Sequence, residues 1–286
     1  MGAATPPTAP RARLLRTLLF VPATRPERFA KALASGADAV IVDLEDAVAP
    51  EDKLAARAAL AAWLDAATPA SDAPALWVRI NAAETPWFEG DLMLVAKPGV
   101  AGVMLPKAEG DAAIAIVRAA GARAVMPLIE SAAGFEQLRE IASAPGVERL
   151  AFGSIDLQVD LGMRDALEDE LLWFRTQVVL ASRLAGLAAP VDGVSTAIDD
   201  AELIRTDVLR ARRLGFGAKL CIHPKQIEPV RTHFAPSAAE LAWAQRVLAA
   251  DAASGGAAVS VDGKMVDKPV MLRAQAIVQE AGPSLP

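Results

Sequence analysis

The chain has 286 residues, 53% of them hydrophobic and 22% charged, enough to bury a large core as one big domain or two small ones. Its net charge of −6 argues against a broad nucleic-acid surface, which needs many clustered Lys and Arg; a few gathered arginines could still hold an anionic small ligand. The single cysteine, Cys221, excludes an internal disulfide, and two histidines, His223 and His233, exclude a histidine-rich metal site.

The first residues, MGAATPPTAPRAR, lack the long apolar stretch and cleavage pattern of a secretory signal and read as a frayed tail, 1–15. The run LLRTLLFVPA is shorter than the roughly 18 uncharged residues of a membrane span and is broken by Arg16. No membrane association is therefore expected, and the cytoplasm is the default location. From there, short runs rich in Val, Ile and Leu alternate with longer alanine-rich amphipathic stretches, the rhythm of a parallel sheet with crossover helices. TLLFVPA (Thr17 to Ala23) is followed by a helix over Pro26 to Ser35. DAVIVDLE (Asp38 to Glu45) is followed by one over Glu51 to Ala66. LWVRIN (Leu76 to Asn81), AGVMLPK (Ala101 to Lys107) and AVMPLIE (Ala124 to Glu130) come next, with a helix over Ala132 to Ala142. RLAFGSID (Arg149 to Asp156) precedes a helix over Leu167 to Ala185. PVDGVS (Pro190 to Ser195) precedes one over Ala201 to Leu214, and AKLCIHP (Ala218 to Pro224) is the eighth run.

Eight β/α units in about 210 residues match a (β/α)8 TIM barrel, an α/β fold whose sites lie at the C-terminal ends of the strands. A doubly wound open sheet competes on count alone. The polar residues favour the barrel, because nearly every run ends in one (DLED, RIN, LPK, LIES, GSID, IHPK) and strand ends facing one mouth would gather them. The barrel is assigned to 16–236. Beyond it, 237–286 reads as a helix (Ser237 to Ala253), a loose segment SGGAAVSVDGKMVDKP and a final helix (Val270 to Glu280). Gly255 and Gly256 read as a hinge, so the segment could close as a lid.

Glu130 closes the fifth run and Asp156 the sixth, 26 residues later, which would set two carboxylates side by side on adjacent strands. With no Cys or His beside them they suit a hard divalent cation such as Mg²⁺. Capping of the following helices is the alternative, since Ser131 and Asp156 sit near helix starts. Arg79 could grip a carboxylate in a bidentate fork or form a rim ion pair. Asp43, Glu45 and Asp46 could hold metal-bound waters or pair with Arg79 or Lys107, and the orienting role is preferred. Arg25, Arg28 and Lys31 follow the first strand where a helix start favours phosphate; a solvated helix face is the simpler reading. His223 could be a general base, although a lone histidine before proline is more often structural. Cys221 reads as core, and the five tryptophans as packing residues. There is no Walker A pattern, no GxGxxG after a strand and no GxSxG elbow.

Read in order, FVPATRPERFAKALASGADAVIVDLEDAV, WVRIN, VMLPKAE, PLIESAAG, AFGSIDLQVDLG, GFGAKLCIHPKQI and VDGKMVDKP resemble the citrate lyase β-subunit-like branch of the HpcH/HpaI aldolase family, from about Arg16 to Ala281. The resemblance implies a TIM barrel, Mg²⁺ dependence and reversible carbon–carbon cleavage of 3-hydroxyacyl thioesters such as malyl-CoA, citramalyl-CoA or citryl thioesters. It implies that Glu130 and Asp156 are the metal ligands and that Arg79 contacts the oxoacid carboxylate and the thioester oxygen. It further implies that Asp267 reaches a neighbouring subunit's site for proton transfer, and that Arg25 and Lys31 contact CoA phosphates. A homo-oligomer, trimer or hexamer, follows from that shared site, with a CoA thioester and a 2-oxoacid as its small-molecule partners. One departure stands out: many relatives read GAEDL where this chain reads GSIDL, so Ile155 replaces an acidic residue beside Asp156. A stand-alone lyase is preferred over a citrate lyase subunit working on a carrier protein, because short complex-bound subunits often lack a region comparable to the one holding Asp267.

Overall fold

The computed structural model describes residues 14–66, 73–254 and 259–282. Eight parallel strands close into a barrel: β1 (Thr17–Pro22), β2 (Ala39–Asp43), β3 (Ala75–Arg79), β4 (Val100–Leu105), β5 (Val125–Ile129), β6 (Ala151–Phe152), β7 (Val191–Asp192) and β8 (Ala218–Cys221). Pairing of β1 with β8 as well as with β2 seals the sheet and removes its edges, which excludes the open doubly wound alternative. The strands form on short, mostly apolar runs. AVIVD of β2 and VMPLI of β5 are buried at every position, as strands covered on both faces must be.

The surrounding helices are α1 (Phe29–Leu33), α2 (Lys53–Ala66), α3 (Phe88–Val95), α4 (Asp111–Ala119), α5 (Ala132–Glu136), α6 (Leu138–Ser143), α7 (Ser154–Asp160), α8 (Leu172–Leu184), α9 (Ala201–Leu214) and α10 (Ile227–Phe234). Each longer helix buries one stripe, such as Ala56, Leu60 and Leu64 on α2, the spacing an amphipathic helix presents to a sheet. α9 shows both of its end signals. Asp200 Oδ1 accepts from Leu203 N at 2.9 Å, and Gly215 ends the helix at φ 105°, where only glycine is unstrained.

Several elements differ from the sequence reading. Ala132 to Ala142 is two short helices, α5 and α6, rather than one. The long helix begins at Leu172, not Leu167, because Glu168 to Leu171 form turns. The sixth run is a strand only over Ala151 and Phe152, and Gly153 then leads directly into α7. Asp156 therefore stands in the first turn of a helix and not at a strand end.

The contacts divide the chain into two units, Arg16–Phe234 and a smaller one containing the residues from Ala235 onward. In the smaller unit, α11 (Ala238–Ser254) packs on α12 (Lys268–Ala281) around Ala244, Val247, Val266, Ala274 and Ile277. The segment read as loose is in part an antiparallel hairpin, β9 (Val259–Val261) with β10 (Lys264–Val266). Asp262 and Gly263 turn it with φ 49° and 74°, the left-handed pair that a two-residue Asp-Gly hairpin needs. The tail residues 1–13 and the Gly255–Gly256 hinge lie outside the described residues. Among the described residues no helix is long and apolar enough to cross a membrane.

Candidate active site

The centre of the site is set by strand register. Asp43 and Arg79 are the last residues of β2 and β3 and face each other across that pair. Arg79 Nε donates to Asp43 Oδ1 at 2.7 Å and Nη2 to Oδ2 at 2.6 Å, a bidentate fork. The same carboxylate accepts from Glu45 N at 2.9 Å and Ala47 N at 3.1 Å, so it braces the following loop while it holds the guanidinium. The remaining edge of Arg79, Nη1, lies 3.0 Å from Glu45 Oε2 and 3.5 Å from Asp46 Oδ2. The guanidinium also sits 4.8 Å from the centre of the Phe20 ring, a cation–π distance. Burial by itself pulls Arg79 down, but Asp43, Glu45 and Asp46 more than reverse this and raise it above its ordinary value. It stays charged at any working pH.

Glu45 is pushed up to about 7, first by burial and against the pull of Arg79, with the charge of Asp46 and a shared hydrogen bond to it adding to the rise. Lys107 follows β4 in a left-handed turn, φ 45°. Its backbone N–H donates to Glu130 Oε1 at 2.9 Å, and its Nζ stands 4.0 Å from Glu45 Oε1. Glu130 is the residue after β5 and is only 4% exposed. Burial pushes its carboxyl up to about 8, and the charge of Asp156 adds to the rise. Asp156 is raised as well, by burial and then by Asp46.

Asp43, Asp46, Arg79, Glu130 and Asp156 share one cavity of about 450 Å³. The helix-capping alternative fails for Glu130: α5 is capped by Ser131, whose Oγ accepts from Gly134 N at 3.1 Å. Glu130 has no such duty and faces the cavity. Gly153 supplies the room. A Cβ at that position would meet Glu130 Oε2 at a distance real Cβ atoms essentially never show. Two oxygen donors, one buried and both disfavoured as bare neighbouring anions, fit a hard divalent cation that completes its shell with water and ligand oxygens. Among the described residues no group of three or more His, Cys, Asp or Glu is placed to hold a metal ion.

Other residues singled out from the sequence lie elsewhere. Arg25 is exposed, with Nε donating to Glu27 Oε1 at 2.6 Å, and Lys31 is exposed on α1; neither lines the cavity. His223 is structural: its Nδ1 accepts from Lys225 N at 3.2 Å at the head of a short 3-10 turn. Cys221 is core, its thiol pushed up to about 12 by burial. Asp267 caps α12, its Oδ1 accepting from Val270 N at 3.1 Å.

Two features escaped the sequence reading. Lys53, buried at the start of α2, donates through Nζ to the carbonyls of Leu44 at 2.8 Å and Glu45 at 2.7 Å. It thereby fastens the loop that carries the acidic cluster. Between β7 and β8, Asp192 accepts from Arg175 Nε at 2.9 Å and from Lys219 Nζ at 3.1 Å. The signal in the sequence was a charged residue inside an apolar run, Lys219 in AKLC and Asp192 in PVDG, which is tolerated only when paired. No local pattern marks Lys53.

A TIM barrel with an oxygen-only carboxylate pair and an arginine fork at the mouth defines a class of metal-assisted enzymes. The comparisons with known proteins place the chain within that class. The family model for HpcH/HpaI aldolase/citrate lyase matches residues 16–224, and the chain belongs to this family. It is 40% identical over 279 residues to the citrate lyase subunit beta-like protein of Deinococcus radiodurans, across 93% of this chain and 96% of that one. It is 35% identical over 286 residues to the citrate lyase subunit beta of Leuconostoc mesenteroides subsp. cremoris, across 94% of each. It is 33% identical over 318 residues to the L-malyl-CoA/beta-methylmalyl-CoA lyase of Rhodobacter capsulatus, across 98% of each. Among solved structures it resembles the CitE protein of Mycobacterium tuberculosis in complex with magnesium, acetoacetate and coenzyme A, with a TM-score of 0.83 and 38% identity over 94% of this chain and 99% of that one.

Proposed function

We propose that this chain is a cytoplasmic, Mg²⁺-dependent carbon–carbon lyase. It cleaves a 3-hydroxyacyl-CoA thioester of the citramalyl-CoA or malyl-CoA type, reversibly, to acetyl-CoA and a short 2-oxoacid, pyruvate or glyoxylate. The observation that carries this reading is the pair Glu130 and Asp156 sharing one cavity with Arg79. The CitE complex with magnesium, acetoacetate and coenzyme A and the malyl-CoA lyase relative support it. Magnesium held by Glu130 and Asp156 would supply Lewis acidity toward the carbinol oxygen as it becomes a carbonyl.

The chain's own residues supply the rest. The bond between the carbinol carbon and the thioester's α-carbon breaks, its electron pair passes into the thioester enolate, and the carbinol proton passes to a water molecule in the cavity. Arg79, held charged by Asp43 and Glu45, grips the oxoacid carboxylate and stabilises the negative charge that grows on the thioester oxygen. Asp43 and Lys53 fix the loop that aims it. Asp267, supplied by a neighbouring subunit of a trimer or hexamer, protonates the enolate carbon, or removes that proton in the condensing direction. Arg25 and Lys31 meet the CoA phosphates.

A second reading makes the chain a citrate lyase subunit working on a carrier-bound thioester, and the Leuconostoc relative favours it. That relative is matched over 94% of both chains, so possession of a C-terminal region does not separate the two readings as the sequence suggested. A coupled assay does. Cleavage of citramalyl-CoA, malyl-CoA or 3-hydroxy-3-methylglutaryl-CoA that requires both Mg²⁺ and Asp156, tested with Asp156→Ala, supports the stand-alone lyase. Silence on every free CoA ester from protein that binds Mg²⁺ rejects it.

A further inference from the structure

We infer that the cavity selects a 2-oxoacid bearing an alkyl side chain and a single carboxylate, and that Ile155 is a specificity-determining residue for that choice. This rests on the lyase reading above and narrows its substrate class.

The first observation is the apolar part of the cavity lining. Ile155, next to Asp156 on α7, is 43% exposed, and Ile222, just past β8, is 42% exposed. Both line the cavity with Phe20, Leu128, Val194 and Leu220. Large aliphatic groups left open to solvent beside a charged centre gain burial when an apolar substituent settles on them.

The second observation is the charge. Asp43, Asp46, Glu130 and Asp156 line the cavity against a single cation, Arg79, and just behind them Glu45 and Lys107 offset each other. Acids outnumber bases by three at that lining, and one divalent cation leaves an excess of one. Arg79 is already forked to Asp43 and turned to Glu45 and Asp46 on its third edge, so it can serve one substrate carboxylate but not two. No other Arg or Lys lines the cavity among the described residues. A second carboxylate on the oxoacid would lose water without gaining a partner. A substrate with hydrogen in place of the alkyl group would leave the apolar wall wet. Pyruvate and 2-oxobutyrate meet both conditions; glyoxylate fails the first and oxaloacetate the second.

The test is calorimetric titration of the full-length, Mg²⁺-loaded protein with pyruvate, 2-oxobutyrate, glyoxylate and oxaloacetate, using wild type, Ile155→Ala and Ile155→Lys. Thioester cleavage is assayed on the same preparations. Pyruvate is expected to bind roughly tenfold or more tighter than glyoxylate, the range a methyl group supplies in an apolar pocket, and oxaloacetate to bind more weakly still. Ile155→Ala should shrink the pyruvate preference over glyoxylate to about threefold or less. Ile155→Lys should raise oxaloacetate relative to pyruvate about tenfold or more. Equal or tighter binding of glyoxylate or oxaloacetate by wild type, a ranking unmoved by either variant, or no binding of any oxoacid overturns the inference. The predicted ranking together with no cleavage of any CoA ester leaves it standing and rejects the lyase reading instead. Unfolding temperature checks that both variants stay folded.

Discussion

Glu130 is held protonated by its surroundings in the metal-free protein, and a divalent cation binding there must displace that proton. Its carboxyl rises from 4.5 to about 8, by burial first and by Asp156 second, so the folded metal-free protein binds a proton there that the unfolded chain has already lost at neutral pH. Its stabilising contribution is complete below pH 4.5 and is lost as pH rises through about 8. The metal-free protein should therefore lose stability toward alkaline pH, and Glu130→Gln should flatten that slope in melting experiments between pH 5 and 9. Gly153 tests the room beside this carboxylate. Because a Cβ there collides with both Oε2 and Cβ of Glu130, Gly153→Ala should weaken Mg²⁺ binding by about ten- to a hundredfold and cost about 1–3 kcal/mol of stability by overpacking. Asp43→Asn removes half of the Arg79 fork, and cleavage should fall on the order of a hundredfold while Mg²⁺ affinity measured by titration holds.

Elements in this chain are set by neighbours as much as by their own residues. β3 and β4 show it: Trp77 is fully buried, and Gly102 lies where a Cβ would overlap the indole ring, beside an irregularity in the register of the two strands. Gly102→Ala should cost about 1–3 kcal/mol by overpacking, read by chemical denaturation, with oxoacid binding unaffected. Between β7 and β8, burial alone would raise the Asp192 carboxyl, but Lys219 and Arg175 together hold it below its ordinary value. Its contribution is thus present at neutral pH and lost only as the solution is acidified through that lowered value. Asp192→Asn leaves two buried cations short of a partner and should destabilise the barrel by about 3–5 kcal/mol.

At the scale of the whole molecule, the proposed role of Asp267 makes each site the joint product of two subunits. Arg79→Ala and Asp267→Asn proteins, each inactive alone, should recover activity when co-expressed, approaching about a quarter of wild type for random assembly of a closed oligomer. Failure of the mixture to exceed either parent would place Asp267 outside the shared site. The barrel was legible in the sequence because alternating apolar runs and amphipathic stretches record burial one residue at a time, a local signal. The carboxylates and the arginine were legible because each follows an apolar run, and their family motifs assign them roles. What the spacing of residues left open was decided by tertiary contact. Closure of β1 on β8 chose the barrel over the open sheet, and Ser131 took the capping duty that left Glu130 to the cavity. Asp156 proved to sit in a helical turn because Gly153 ends β6 early, and the buried amine of Lys53 found its carbonyls eight and nine residues back. Sequence order alone determined the repeating pattern and the residues that end it. Only the three-dimensional structure decided which of those ends share a cavity, because hydrogen bonds and ion pairs between strands are long-range contacts that no local pattern encodes.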